Sequence, residues 1–309
     1  MKRIALAGVL LAAGTLSAAL TASQPPAGQK PMVIEVEKVK DNLFVLRGGG
    51  GNTAVFVTAK GVVVVDTKNP GWGQPIIDKI RELTDKPVTT IINTHTHGDH
   101  VSGNVAFEPT VDVVVQANTA ENMKRMASPP GMGGGQKPAQ TVFEQNGGRG
   151  LPKRTFTDSL TIGSGADQID LRYFGRGHTN GDAWVLFPAL RVMHSGDIFA
   201  SKGIPILDTN NGGSGVDIPD TLDKAAAFAE KSVDTIITGH SGLMKVADLR
   251  EWAEFNRDFR TYVQEGKKAG KTADELTAAY TLPTKYTGYA TPAPARLKTN
   301  IEVVLAETK

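Results

Sequence analysis

Four residues able to hold a metal ion fall within six positions: His95, His97, Asp99 and His100, in the run Ile91-Ile92-Asn93-Thr94-His95-Thr96-His97-Gly98-Asp99-His100. The chain has six histidines in 309 residues, and three of them stand here. Imidazole nitrogens and a carboxylate at this spacing suit a borderline divalent ion such as zinc. In an extended segment the two-residue step from His95 to His97 puts both side chains on one side. Gly98 takes backbone angles that other residues resist, so Asp99 and His100 can turn away after it. One turn can thus serve two adjacent ions, one through His95 and His97, the other through Asp99 and His100. The remaining histidines, His178, His194 and His240, each stand beside a glycine or at a Gly/Ser-flanked strand end.

The elements that must position these residues follow from periodicity. Val33 to Val39 alternates apolar and polar, as a half-buried strand does; Leu43–Leu46 and Ala54–Thr58 flank the break Gly48-Gly49-Gly50-Gly51. Gly61 to Asp66 is apolar up to its last residue, as a strand buried on both faces is. Pro75 to Leu83 carries Ile76, Ile77, Ile80 and Leu83 on one helical face and leads to the strand Val88–Ile92. A strand is expected over Val111 to Gln116 and a helix over Asn118 to Met126, capped by Asn118. Ser128 to Pro152 is rich in Gly and Pro and reads as a long loop, a lid or surface insertion in which Met132, Val142 and Phe143 are candidates to line a pocket. Strands return at Arg154–Thr157, Leu160–Ile162 and Asp167–Phe174, and a hairpin pairs Ala183–Phe187 with Arg191–His194. Thr221–Lys231 reads as a helix and Asp234–Ile237 as a strand, with helices over Ala247–Lys268, Ala273–Ala279 and Pro294–Thr308. This order is consistent with two packed sheets and helices outside them.

The motif His95-Thr96-His97-Gly98-Asp99-His100 resembles that of the metallo-β-lactamase-fold hydrolases, and the resemblance extends over roughly residues 32 to 245. It implies an α/β fold, the αβ/βα four-layer sandwich. It also implies a ligand set: His95, His97 and His178 on the first ion, Asp99, His100 and His240 on the second, and Asp197 bridging both. In that family an acid at the position of Asp66 packs under the metal loop and orients it; a turn-capping aspartate is the alternative reading. His194 matches no ligand of the family and reads as a core or supporting residue. Asp66, Asp182 and backbone carbonyls are candidates to hold the outer nitrogens of the ligand imidazoles. Trp72, Thr179 and Asn180 are candidates for the substrate pocket, with simpler packing and turn roles open for each.

Two closely spaced divalent ions, most plausibly zinc, with iron or manganese admitted by a bridging carboxylate, lower the pKa of a shared water. The hydroxide attacks a carbonyl or phosphorus, and Asp99 is placed to move a proton as well as to ligate. The family's β-lactam-hydrolysing members carry cysteine or serine where this chain has Asp197; aspartate there resembles its thioesterases, lactonases and phosphodiesterases. The expected function is a dinuclear hydrolase acting on a small ester, lactone, thioester or amide. A β-lactamase, a mononuclear iron enzyme of the sulfur dioxygenase kind and a non-catalytic metal-binding protein are the alternatives.

Lys2 and Arg3 precede an Ala/Leu-rich run, Ile4 to Leu20, and then small residues, which reads as a signal peptide over 1–23 followed by a linker over 24–31. The catalytic domain is expected over 32–245 and a helical extension packed on it over 246–309. Periplasmic or secreted location follows, without membrane insertion after cleavage. The chain has no cysteine, which excludes disulfides and thiolate ligands. A formal net charge of +2, with no dense basic run, gives no support for a nucleic-acid partner.

Overall fold

Two sheets lie face to face, and each owes its placement to strands that are apolar on both sides. The computed structural model describes residues 32–131 and 137–309. The expected signal peptide and linker, and Met132, lie outside them. The first sheet has seven strands in chain order: β1 (Glu35–Lys40), β2 (Leu43–Arg47), β3 (Thr53–Val57), β4 (Val62–Val65), β5 (Val88–Ile92), β6 (Asp112–Gln116) and β7 (Arg154–Phe156). β1 to β4 pair antiparallel, as the short spacings between them require, and β4 to β7 pair parallel. The second sheet runs in reverse order from β13 (Leu243–Met244) through β12 (Thr235–Thr238), β11 (Val192–Gly196), β10 (Trp184–Phe187) and β9 (Ile169–Arg172) to β8 (Ser159–Ile162). There only β11 and β12 are parallel.

The four valines of β4 are all buried, because one face meets the opposite sheet and the other meets a helix layer. Between the sheets, Val45, Phe56, Val65 and Ile92 pack against Leu171, Val185, Phe187 and Ile237, with Phe56 and Phe187 edge to face at 5.0 Å. On the outer side of the first sheet lies α1 (Gly73–Leu83), which buries Ile76 and Ile80 one turn apart. Its start is two residues earlier than the periodicity indicates, since Pro75 fits a first turn where no N–H partner is needed. On the outer side of the second sheet lie α5 (Ile218–Ala229) and α6 (Val246–Lys268), joined by Leu222, Leu249 and Trp252. The C-terminal helices α7 (Ala273–Ala279) and α8 (Pro294–Glu307) close a smaller core on α6 around Phe259, Leu276 and Ile301. The layers are helix, sheet, sheet, helix, and residues 32–309 form one compact unit.

Some local expectations are corrected. The helix α3 runs Ala117–Met123 and is capped by the Gln116 side chain, which accepts the Asn118 N–H at 2.6 Å. Asn118 spends its own amide on the Asn180 carbonyl, 2.7 Å away. The Ser128–Pro152 region contains a short helix, α4 (Val142–Gln145), closed by a capping box between Thr141 and Glu144. Phe143 belongs to the core and not to a pocket. The expected strand from Asp167 begins only at Ile169, because residues 165–167 form a 3-10 turn.

Candidate metal centre

The carboxyl ends of β4, β5, β11 and β12 open on one edge of the sandwich, and the loops that follow them carry Asp66, the His95–His100 cluster, Asp197 and His240. His178 arrives from the β9–β10 connection. Ligand-bearing loops at the carboxyl ends of parallel strands are the general pattern of α/β sheets. Gly98 makes the turn differently from expectation: it opens a four-residue helix, α2 (Gly98–Val101), and needs no left-handed backbone. His95 and His97 precede that helix, while Asp99 and His100 lie within it, which is what separates the pairs.

Two donor groups result. His95, His97, His178 and Asp197 form the first, and Asp99, His100 and His240 the second; within each, one ligand atom per residue lies within 4.8 Å of the others. His97 Nδ1 and His178 Nε2 face each other at 3.0 Å. In the second, His240 Nε2 is 3.3 Å from His100 Nε2 and 3.2 Å from Asp99 Oδ2. Asp197 reaches both. Its Oδ1 is 3.2 Å from His100 Nε2, its Oδ2 3.1 Å from His240 Nε2, and that same Oδ2 is 3.9 Å from both His95 and His178.

The outer nitrogens of four of the five imidazoles are held by different acceptors. His97 Nε2 donates to Asp208 Oδ2 at 2.7 Å, and His178 Nδ1 to the Ile206 carbonyl at 2.7 Å. His100 Nδ1 donates to Asp66 Oδ2 at 2.7 Å. Asp66 also accepts the Thr94 N–H and hydroxyl, and Thr94 Oγ1 in turn accepts from His95 Nδ1 at 3.0 Å. Each arrangement fixes which ring nitrogen faces inward. Two lone pairs facing at 3.0 Å repel unless a cation lies between them. His95 Nε2 is buried without a hydrogen-bond partner, a costly state that coordination would relieve. The donor set, nitrogen and carboxylate oxygen only, fits two borderline divalent ions.

Glycines make room for this packing. Gly196 has φ +55°, and a Cβ there would sit 2.5 Å from Thr94 Oγ1. The loop after β4 is strained as well: Asp66 and Lys68 adopt φ of 63° and 69°, a conformation uncommon outside glycine.

Protonation differs between the groups in the metal-free chain. Burial and the neighbouring His100 imidazole hold His95 well below the ordinary histidine range, and burial beside His97 holds His178 at about 4. Burial opposes charge on His100 too, but Asp197, Asp66 and Asp99 outweigh it and raise its pKa well above normal. His240 rises to about 9 against the cost of burial, through Asp197 and Asp99. Asp99 falls to about 2, since His100 and His240 outweigh the effect of burial.

The remaining expected residues have other places. Asp66 orients His100 directly and His95 through Thr94, and ligates nothing itself. Asp182 holds no imidazole among the described residues. Its carboxylate accepts the Thr179 N–H at 2.8 Å and hydroxyl at 2.6 Å, and burial raises its pKa to about 7. Thr179 and Asn180 therefore shape the turn behind His178 and do not line the cleft: Thr179 is fully buried, and Asn180 Oδ1 accepts from Asn122 at 2.9 Å. Trp72 is also outside the cleft, its ring laid over Gly49. His194 is buried; it donates to the Asn52 carbonyl at 3.1 Å and accepts the Gly196 N–H at 3.0 Å, steadying the strand end that carries Asp197. The sequence reading missed Asp208, Thr94 and Lys68. Asp208 sits in a loop with no periodicity, after Ile204-Pro205-Ile206-Leu207, and only its place before Thr209-Asn210-Asn211-Gly212 hints at a tight turn.

A cleft of about 990 Å³ opens over both groups. His97, Asp99, Asp197 and His240 form its floor, and Pro70, Met126, Val142 and Ile206 are among its apolar walls.

Comparison with known proteins agrees with this geometry. The profile of the "Metallo-beta-lactamase superfamily" matches residues 46–240. A metallo-beta-lactamase type 2 of Elizabethkingia meningoseptica is 28% identical over 189 residues, 56% of this chain and 66% of that protein. A hydroxyacylglutathione hydrolase of Nostoc punctiforme is 29% identical over 168 residues, 54% of this chain and 51% of that protein. The match thus spans less than two thirds of either relative. Among solved structures, a metallo-beta-lactamase from Pontibacter korlensis superposes with a TM-score of 0.59 at 18% identity, covering 73% of this chain and 99% of that one. A stereoselective inverting sec-alkylsulfatase from a Pseudomonas species gives 0.66 at 14% identity, covering 88% of this chain and 50% of that one. These two likenesses concern the fold. The chain belongs to the metallo-beta-lactamase superfamily.

Proposed function

We propose that the protein is a dinuclear zinc hydrolase that cleaves a small ester, lactone, thioester or amide, and that its first 23 residues direct it to the periplasm or the outside of the cell. The observation that carries the reading is Asp197, which reaches both donor groups at the floor of an open cleft. His95, His97, His178 and Asp197 would hold one ion, and Asp99, His100, His240 and Asp197 the other. Bound there, the ions would supply positive charge that acidifies water and polarises a substrate oxygen. The chain supplies the rest. Thr94, Asp208, Ile206 and Asp66 keep the imidazoles in one tautomer and orientation. Asp99 is ionised and lines the cleft, so it is placed to accept a proton from water. The apolar wall of Met126, Val142 and Ile206 excludes solvent and seats a substrate's carbon skeleton.

The hydroxyacylglutathione hydrolase relative supports thioester or ester cleavage. The type 2 metallo-beta-lactamase relative supports β-lactam hydrolysis, against which Asp197 weighs, since the β-lactam-hydrolysing members carry cysteine or serine there. The decisive experiment is metal analysis of the purified chain beside turnover of nitrocefin, a lactone, a p-nitrophenyl ester, a thioester and bis-p-nitrophenyl phosphate. About two zinc ions per chain, with turnover lost in His97→Ala, is the expected result. One iron per chain, or no metal in folded protein, would overturn the proposal. N-terminal sequencing after cell fractionation checks the location.

A further inference from the structure

The glycine turn between β2 and β3 touches every segment that carries a ligand of the second donor group. The Gly51 N–H donates to the Asp99 carbonyl at 3.0 Å. A Cβ on Gly51 would fall 2.2 Å from the His100 ring, and one on Gly50 would fall 2.7 Å from the Asp99 carbonyl oxygen. Asn52 donates its N–H to the Gly239 carbonyl at 2.7 Å and its side-chain amide to the Thr238 and Ser241 carbonyls at 2.8 Å, enclosing His240. Gly48, Gly49 and Gly50 adopt φ of +96°, +72° and +130°, angles that leave the turn without intrinsic preference for this one shape. Something else must fix it.

Lys68 does so. It is fully buried, and its Nζ donates at 2.8 Å to the carbonyls of Leu46, ahead of the four glycines, and of Gly51, the last of them. Asn69 adds its N–H and side-chain amide to the Gly49 carbonyl, at 3.0 and 3.1 Å. The first donor group draws its outer partners from elsewhere, namely Asp208, Ile206 and Thr94.

We propose that Lys68 is a positioning residue which, by clamping the Gly48–Asn52 turn beneath Asp99, His100 and His240, sets the affinity of the second ion and leaves that of the first alone. The inference rests on the two-ion reading above. A lysine retained only for packing would affect both ions alike or neither.

The test is zinc titration of the metal-free full chain against a chromophoric chelator, with near-ultraviolet circular dichroism as the check on folding. In Lys68→Met the first equivalent should bind as in the wild type, and the second should weaken about 10- to 100-fold, the range found when support behind a ligand is removed. Gly51→Ala, which pushes on the His100 ring directly, should show the same selective loss, and it decides the matter if Lys68→Met does not fold. Unchanged binding of both equivalents, or equal weakening of both, would overturn the proposal. Fewer than two equivalents in the wild type would instead overturn the two-ion reading.

Discussion

The two donor groups share Asp197 yet are built on different physical terms. His95 and His178 in the first are 1% exposed, and each imidazole is held from behind by its own partner. In the second, the His240 side chain is 37% and Asp99 29% exposed, and the group is held together by charge. Without metal, His95 and His178 of the first are neutral imidazoles with lone pairs aimed inward. The second is an internal ion cluster in which His100 and His240 pair with Asp99 and Asp197. Preorganisation is therefore concentrated in the first group, and the second must break ion pairs before it can coordinate. Affinity should follow that order, with the first ion the tighter.

The largest effect that tests this contrast comes from removing a first-group ligand. His97→Ala should abolish the first ion and reduce turnover by a thousandfold or more, an order-of-magnitude expectation for loss of metal-assisted catalysis. His240→Ala, at the exposed end, should leave one tightly bound ion behind. Metal content by mass spectrometry separates the two variants. Equal loss of both ions in His240→Ala would show that the groups form one cooperative site.

Proton release sharpens the comparison. In the metal-free chain His178, at about 4, and His95, well below the ordinary range, carry no proton at pH 7. His240, at about 9, and His100, well above the ordinary range, do. The second ion must displace those protons, so its apparent affinity should rise with pH by up to about a hundredfold per unit while both are held, and less steeply above pH 9, where His240 has lost its own. Binding of the first should take no proton from His95 or His178 above pH 5. Calorimetric titration in two buffers of different ionisation enthalpy reads the protons released at each step, and equal release at both steps would contradict the contrast.

A smaller effect is expected one layer out. Asp208→Asn removes the carboxylate behind His97 and should weaken the first ion about 10- to 100-fold with little change in the second. Asp66→Asn should weaken both, because Asp66 holds His100 directly and His95 through Thr94. Competition with a chelator gives both constants, and a selective effect of Asp66→Asn on one ion would show that the Thr94 link carries no weight.

How much of this was legible follows the same division. His95, His97, Asp99 and His100 stand adjacent in sequence, after a strand that periodicity identifies, so their local geometry was readable. His178, Asp197 and His240 come from distant strand ends, and their convergence entered through a resemblance. The helix α1 is visible as a 3.6-residue pattern and β4 as an unbroken apolar run, while α5 starts at Ile218, three residues before the expected Thr221. The supporting groups were not visible. Asp208, Thr94 and Lys68 have no periodicity or spacing that marks them, and what they do depends on which loop the fold lays against which. For Thr179 and Asn180 the simpler turn role holds, and Asp182, a candidate for an imidazole nitrogen, caps that turn instead, because adjacency to His178 in sequence puts all three behind the ligand.

Lys68 offers the last and smallest test, in stability. Burial lowers its pKa from 10.5 to about 7 in the folded chain, against the pull of Asp66. Below pH 7 both folded and unfolded states hold the proton, and the full cost of burying an ammonium group is present. Between pH 7 and 10.5 the unfolded state binds more protons, so this group makes folding more favourable as pH rises. Lys68→Met removes that slope while leaving the Leu46 and Gly51 carbonyls without their donor, a loss that does not vary with pH. In urea denaturation of the metal-free protein the stability difference, wild type minus variant, should grow by about a few kcal/mol from pH 6.5 to pH 9.5. Parallel curves across that range would mean that the ammonium group stays charged in its buried site, with the clamp made by a cation throughout.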